Sequence, residues 1–359
     1  MNPRLVAGAT FTDGKLDTSI SDPDVRWDAA AQTWRLYYGA DHAMTATYPP
    51  SQLIRHATSA DRVTWNVADA PALAAATDGG AWDNLITEAP TVVYNPDAPI
   101  DRRYLMLYAG ASEPFPHPGY DFAATSLGAA ISADGVTFTR ISASESPKGQ
   151  AGLVLTGADV YPSLGTVVAD PELALVDGVY QLWFSSFGCK NTNCATVEYN
   201  GISHATSSDG VHWEVKEAPV RSLLRAAADL TSGGSEPSMI YDAEHCRWEA
   251  WLVNDAPTDT IGQTVQLDNM AGVWYADSTD GITWHINYAF TRALVWDGNE
   301  PGEGLGIRRG ADVGANGTGR LMLFVGYDDQ NVPMGFELPD SSGTTPGVMT
   351  LNVATRDLQ

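Results

Sequence analysis

Positive charge is scarce in this chain: 20 lysines and arginines face 44 aspartates and glutamates, for a formal net charge of −24. So acidic a protein repels nucleic acid and anionic membrane surfaces, which removes both from the candidate partners. Cysteine is scarce too, with three among 359 residues. Cys189 and Cys194 bracket a short loop that a disulfide would close, leaving Cys246 unpaired. The pair has no nearby residues to complete a metal site. With the acidic composition, this pair leads to the expectation of an extracellular or periplasmic protein, although the opening Met1-Asn2-Pro3-Arg4-Leu5-Val6 has no apolar signal-peptide core. No apolar run approaches the roughly 20 residues that a membrane-crossing helix needs. Apolar residues at helical spacing are also missing from every long segment. What is plentiful is 34 glycines, 21 prolines and a set of 11 Trp, 14 Tyr and 9 Phe, which suits strands alternating with tight turns.

The chain repeats itself. Ser21-Asp22-Pro23, Glu88-Ala89-Pro90, Ala169-Asp170-Pro171 and Ser235-Glu236-Pro237 each set an acidic residue beside a proline, and each precedes an apolar strand, a polar turn and an aromatic-rich strand. A fifth copy without proline begins at Gly310-Ala311-Asp312. Later in each unit comes a second motif: Ser59-Ala60-Asp61-Arg62, Ser132-Ala133-Asp134-Gly135, Ser207-Ser208-Asp209-Gly210 and Ser278-Thr279-Asp280-Gly281, with a remnant at Thr355-Arg356-Asp357. Asp-Gly between β-type runs signals a hairpin whose two central residues take positive φ. Each unit therefore reads as two hairpins, or four strands.

Five such units predict a single all-β domain, a five-bladed β-propeller with blades at about 20–66, 86–141, 168–216, 234–288 and 310–358. The last unit lacks a strand, and the apolar run at 4–11 is expected to supply it, closing the ring and removing its open edges. Long connections at 41–51, 112–125, 187–200, 254–270 and 328–345 all fall between second and third strands. That common position places them around one rim, where they would wall a cleft. The strand aromatics read as packing between blades. His56 and His204 occupy one strand position in two units and read the same way. His42, His117, His245 and His285 have no spacing that suggests zinc.

With the acidic member of each copy starting an inner strand, the pattern resembles the five-bladed propellers of glycoside hydrolase family 43 and, more distantly, the invertase and levansucrase group. The resemblance covers nearly the whole sequence, though it rests on short motifs. It implies a carbohydrate substrate. Carried over by motif, Asp22 would be the general base, Asp170, ahead of Asp177-Gly178-Val179-Tyr180, the aspartate that adjusts the acid's pKa, and Glu236 the general acid.

Inversion at a glycosidic bond needs one protonated carboxyl at the leaving oxygen and one carboxylate activating water. A third carboxylate nearby raises the acid's pKa by like-charge repulsion. The sequence departs from the family where Trp-Ala-Pro-Asp is replaced by Glu88-Ala89-Pro90-Thr91, and where a fifth-blade histidine is replaced by the stretch Arg309-Gly310-Ala311-Asp312. Glu88, Thr91, Arg309 and Asp312 are therefore the expected substrate contacts, and the sugar is left open. The Ser-x-Asp-Gly motifs also resemble the Asp-boxes of sialidases, which are structural turns. No cofactor is required, and a structural or channel calcium ion is compatible with the acidic ring without being demanded by it. Two other readings stand beside hydrolysis: a non-catalytic propeller that binds a glycan or a protein, and a transglycosylase or phosphorylase on the same scaffold. Acidic residues beside prolines also mark turns in purely structural settings.

Overall fold

The computed structural model describes residues 5–6, 12, 16–43, 51–62, 64–112, 125–162, 165–189, 197–224, 234–243, 245–254, 272–286, 307–316, 319–327 and 349–357. For 5–6 and the last three spans the description is of backbone alone. The long connections, apart from their ends, lie outside these residues, as does the pairing of Cys189 with Cys194. Cys246 is an exposed free thiol.

The architecture is an all-β propeller. Its strands form five antiparallel sheets, each a meander in which the second strand pairs with the first and the third. The first sheet is built on Leu16–Asp28, Thr33–Ala43 and Ser51–Ser59, and the second on Ile86–Tyr94, Tyr104–Ala111 and Ser126–Ser132. The third uses Gly165–Val176, Val179–Cys189 and Val197–Ser207, and the fourth Ser235–Asp242, Arg247–Asn254 and Gly272–Ser278. The fifth consists of Ile307–Asn316, Gly319–Tyr327 and Met349–Asp357, with Leu5–Val6 on the outer edge. Leu5 lies opposite Leu351 and Val6 opposite Thr350. First strands of consecutive sheets are neighbours, and Leu16–Asp28 also neighbours Ile307–Asn316.

Successive side chains along a strand point to opposite faces, and runs such as Tyr104–Ala111 are buried at every position, so both faces of an inner sheet are covered and the core lies between sheets. Tyr37 and Ile54 of the first sheet meet Val92, Tyr104 and Met106 of the second. Leu105, Leu107 and Leu127 meet Leu173, Leu182 and Phe184 of the third. Trp183 and Ile202 meet Met239, Trp248 and Leu252 of the fourth. Burying each large apolar side chain contributes about 1.5–3 kcal/mol, so face-to-face packing, not the strand pairing alone, holds the sheets upright.

The Ser-x-Asp-Gly motifs turn out to be six-residue loops between third and fourth strands, where the dipeptide signal predicts two-residue hairpins. Only the glycine, or Arg62 in the first unit, has positive φ, at +62° to +76° in the four copies. The serine and aspartate side chains close the loop: in the fourth sheet Gly281 donates its N–H to Ser278 Oγ at 2.9 Å and Ile282 donates to Asp280 Oδ1 at 2.8 Å. A true two-residue hairpin occurs at Asp177-Gly178, with φ of +52° and +76° between paired Val176 and Val179.

Each of three loops then docks on the preceding sheet. Arg35 and Tyr37 donate to the carbonyl of Gly135 at 3.0 and 2.6 Å, and Trp183 Nε1 donates to that of Gly281 at 3.2 Å. A Cβ on Gly210 would stand 2.4 Å from Leu105 Cδ2. His56 and His204 pack beneath two of these loops, their rings 5.1 Å from those of Tyr37 and Trp183. The expected four strands per unit are also modified in the first two sheets. There the outer strand is in two pieces, Asn66–Val67 with Leu73–Ala74 and Thr139–Arg140 with Leu153–Leu155, all on the edge of the third strand.

Candidate functional site

Four residues share one unusual backbone state. Asp22, Ala89, Asp170 and Glu236 have φ of +49°, +47°, +47° and +47°, and each precedes a proline. Left-handed φ costs a residue with a Cβ about 1–2 kcal/mol, and a following proline further disfavours helical conformations. The cause is visible in the pairing. Each residue sits where register shifts, after Ser21, Glu88, Ala169 and Ser235, so that the first strand carries extra backbone against the second. Such a β-bulge bends the strand and re-aims the side chain. Because Ala89 shares the geometry without carrying a functional group, the strain belongs to the repeat, and the chemistry to what stands on it.

These four residues and their prolines line one cavity of about 30 Å³, completed by Asp24, Glu172 and Ser238. Asp22, Asp170 and Glu236 are half-buried, whereas Asp24, Glu172 and Ser238, two positions further along their strands, are buried. The sheets of the expected base, modulator and acid thus present all three carboxyl-bearing residues to one space.

Beneath them runs a polar belt. Arg26 Nε donates to Asp24 Oδ1 at 2.7 Å, and its Nη2 donates to Glu172 Oε1 at 3.1 Å and Thr91 Oγ1 at 3.2 Å. The Asp24 and Glu172 side chains are only 2% and 6% exposed, against 29% for Arg26. The N–H of Val92 donates to Asp24 Oδ2 at 2.6 Å, and that of Leu173 donates to Thr91 Oγ1 at 3.0 Å. The rule repeats: the residue two beyond the bulge accepts from the backbone three beyond the next bulge. Both oxygens of Asp24 are thereby committed, which suits it to fixing one sheet against another and not to exchanging protons. Arg26 offsets part of the negative charge gathered around the cavity.

The remaining expected substrate residues fare differently. Ala89, not Glu88, occupies the bulge position of the second sheet; Glu88 is half-buried one residue earlier and is not in the cavity wall. A Cβ at Gly39 would lie 3.6 Å from Glu88 Cβ and 3.7 Å from Asp22 Oδ2, which puts Glu88 beside the first-sheet carboxylate. Thr91 is fully buried and its hydroxyl serves the belt, so it too is outside the wall. For Glu88 the physical reason is the bulge, which puts Ala89 where the acidic residue stands in the other three sheets; Thr91 shares its position with Asp24, Glu172 and Ser238, but its short side chain is engaged by Arg26 and the Leu173 N–H. Arg309 falls within the register shift between Ile307 and Ala311, and Asp312 pairs with Leu323 beyond it; their side chains lie outside the described residues. Asp24, Arg26 and Glu172 were not anticipated, although the recurring polar residue at Asp24, Thr91, Glu172 and Ser238 is a signal in the sequence. Among the described residues no group of three or more His, Cys, Asp or Glu is arranged to hold a metal ion. No helix among them is long and apolar enough to cross a membrane.

No family model matches this protein, and no curated protein does. Solved structures do. A structure described as a glycoside hydrolase superposes with a TM-score of 0.64 at 11% identity, over 99% of this protein and 92% of that one. An N-acetylgalactosamine deacetylase from F. plautii, in complex with blood group B trisaccharide, gives 0.61 at 13% identity, over 99% and 93%. A thermostable family-43 glycoside hydrolase gives 0.58 at 14% identity, over 100% and 94%. At these identities the likeness establishes the propeller fold.

Proposed function

We propose that this protein is a glycoside hydrolase acting on a glycan or oligosaccharide with inversion. In this reading the five sheets are five blades of one ring, closed by Leu5–Val6 on Met349–Asp357. Asp22 activates water, Glu236 protonates the leaving oxygen, and Asp170 raises the acid's pKa and orients the sugar. The observation that carries the reading is the occupancy of equivalent strained bulges by Asp22, Asp170 and Glu236 on the wall of one cavity. The strain itself belongs to the repeat, as Ala89 shows; what sets the three positions apart is the carboxyl each carries. The cavity's 30 Å³ has room for about two waters, so a sugar would sit at its mouth with the nucleophile below. Glu88 and the fifth-sheet residues Arg309 and Asp312 would contribute to sugar selection, and the acidic surface suits an extracellular or periplasmic setting.

The test is hydrolysis of a panel of aryl glycosides and plant or microbial polysaccharides by the wild type and Glu236→Gln, with thermal melting of both. Loss of turnover in a variant that melts like the wild type supports Glu236 as the acid. A panel untouched by the wild type sinks the hydrolase reading and favours a glycan- or protein-binding propeller. Because one structural neighbour is an N-acetylgalactosamine deacetylase, acetate release from N-acetylated sugars belongs in the same panel. Acetate without glycosidic cleavage would move the chemistry to deacetylation.

A further inference from the structure

We infer that Ser185 is the positioning residue for Glu236. The inference rests on the proposed hydrolase and names a residue that no motif of the sequence marks. Ser185 lies on the second strand of the third sheet, paired with Ala169, and is 1% exposed. Its Oγ accepts the backbone N–H of Glu236 at 2.9 Å, across the gap between third and fourth sheets.

The repeat supplies an internal comparison. The residues paired with the position just before each bulge are Gly39, Ala109, Ser185 and Val253. Only the third of these four carries a hydroxyl, and the third sheet is the one whose neighbour bears Glu236. At the same place in the first sheet stands glycine, beside Ser21 and Asp22. Glu236 is longer by one methylene than the aspartates at equivalent bulges, and its own backbone holds left-handed φ ahead of Pro237. A general acid must meet the leaving oxygen within hydrogen-bond reach. Anchoring the Glu236 amide fixes the point from which that longer side chain swings. Ser185 touches no reacting atom in this scheme; it acts through Glu236.

Two readouts on Ser185→Ala, with Ser185→Thr as the hydroxyl-retaining comparison, decide the matter. The first is leaving-group dependence. An acid misplaced by an ångström costs up to about 100-fold, and the cost falls on leaving groups that need protonation. Ser185→Ala should therefore lose about 10- to 100-fold in kcat on alkyl glycosides or oligosaccharides and less than about threefold on 4-nitrophenyl glycosides, with recovery in Ser185→Thr. Equal losses on both substrate classes overturn the inference, since a general loosening of the site makes no such distinction. The second readout needs no turnover: hydrogen–deuterium exchange at the Glu236 amide should quicken about tenfold in Ser185→Ala while amides of the first and second sheets keep their rates. Unchanged exchange at Glu236 overturns the inference as well. If the wild type cleaves nothing, the hydrolase reading fails, and the exchange result alone decides whether Ser185 holds Glu236.

Discussion

Replacing Thr91 with valine removes one hydroxyl and almost nothing of the side chain's shape. That hydroxyl accepts the Leu173 N–H at 3.0 Å and the Arg26 guanidinium at 3.2 Å, in a fully buried setting. Arg26 keeps Asp24 and Glu172 as partners, so the principal loss is the buried amide left without an acceptor, worth about 1–3 kcal/mol. Unfolding entropy of about 2.1 cal/mol/K per residue, applied to 359 residues, gives about 0.75 kcal/mol/K, and the expected fall in Tm is then about 1.3–4 °C for a protein that unfolds as one unit. Scanning calorimetry, with urea denaturation at 25 °C, measures it. In the same preparation KM on any accepted substrate should stay within about twofold of wild type. An unchanged Tm together with a raised KM would refute the assignment of Thr91 to the belt between sheets and return it to the sugar.

Three further outcomes follow from the same geometry. In Gly39→Ala the new Cβ would stand 2.9 Å from Ser21 Oγ, with Glu88 Cβ at 3.6 Å and Asp22 Oδ2 at 3.7 Å; a stability loss of about 1 kcal/mol should come with a fall of about tenfold in kcat/KM, and an unaffected rate would refute the expectation that crowding at Ser21 displaces a working base at Asp22. Gly210→Ala and Gly178→Ala both place a side chain at φ of +76°, but only the first meets a neighbour, Leu105; urea titrations should therefore find Gly210→Ala worse by about 1 kcal/mol, and equal losses would deny that the loop docks. Burial, with Arg35 near His56 and Lys216 near His204, pushes both histidines down to about 4. Since the unfolded chain takes up these protons near pH 6.5 and the folded one not until about 4, stability should decline as pH falls through that window, by roughly 3 kcal/mol per histidine, and flatten below it. Substituting His56 by asparagine should remove its share of the slope, and an identical slope in that variant would place the titration elsewhere.

Much of the site was legible because a repeat exposes its own exceptions. Asp22, Asp170 and Glu236 stand at matching places in matching units, so their convergence on one cavity follows once the units are arranged around an axis. The neighbours were less legible. Glu88 and Ala89 differ by one residue, and a β-bulge decides which of the two faces the cavity; period-two alternation alone cannot, because the bulge breaks that period at the very position in question. Arg26 and Asp24 looked like ordinary polar strand residues, and Thr91 like a substrate contact, because their partners, Glu172 and the amides of Val92 and Leu173, are far away along the sequence and adjacent only across sheet faces.

The sequence by itself determined the class of fold and the recurrence of Asp22, Asp170 and Glu236 at one place in three units, through strand-length apolar runs, Pro and Gly punctuation and repetition, all of which are local properties of the polypeptide. It also marked the Ser-x-Asp-Gly turns, though as shorter hairpins than they are. What only tertiary structure decided is which of several adjacent polar residues faces the cavity and which is committed to holding sheets together. That division depends on register shifts and on contacts between sheets, where a buried N–H must find an acceptor whatever the separation in sequence. Thr91 fills that need for Leu173, and Ser185 fills it for Glu236.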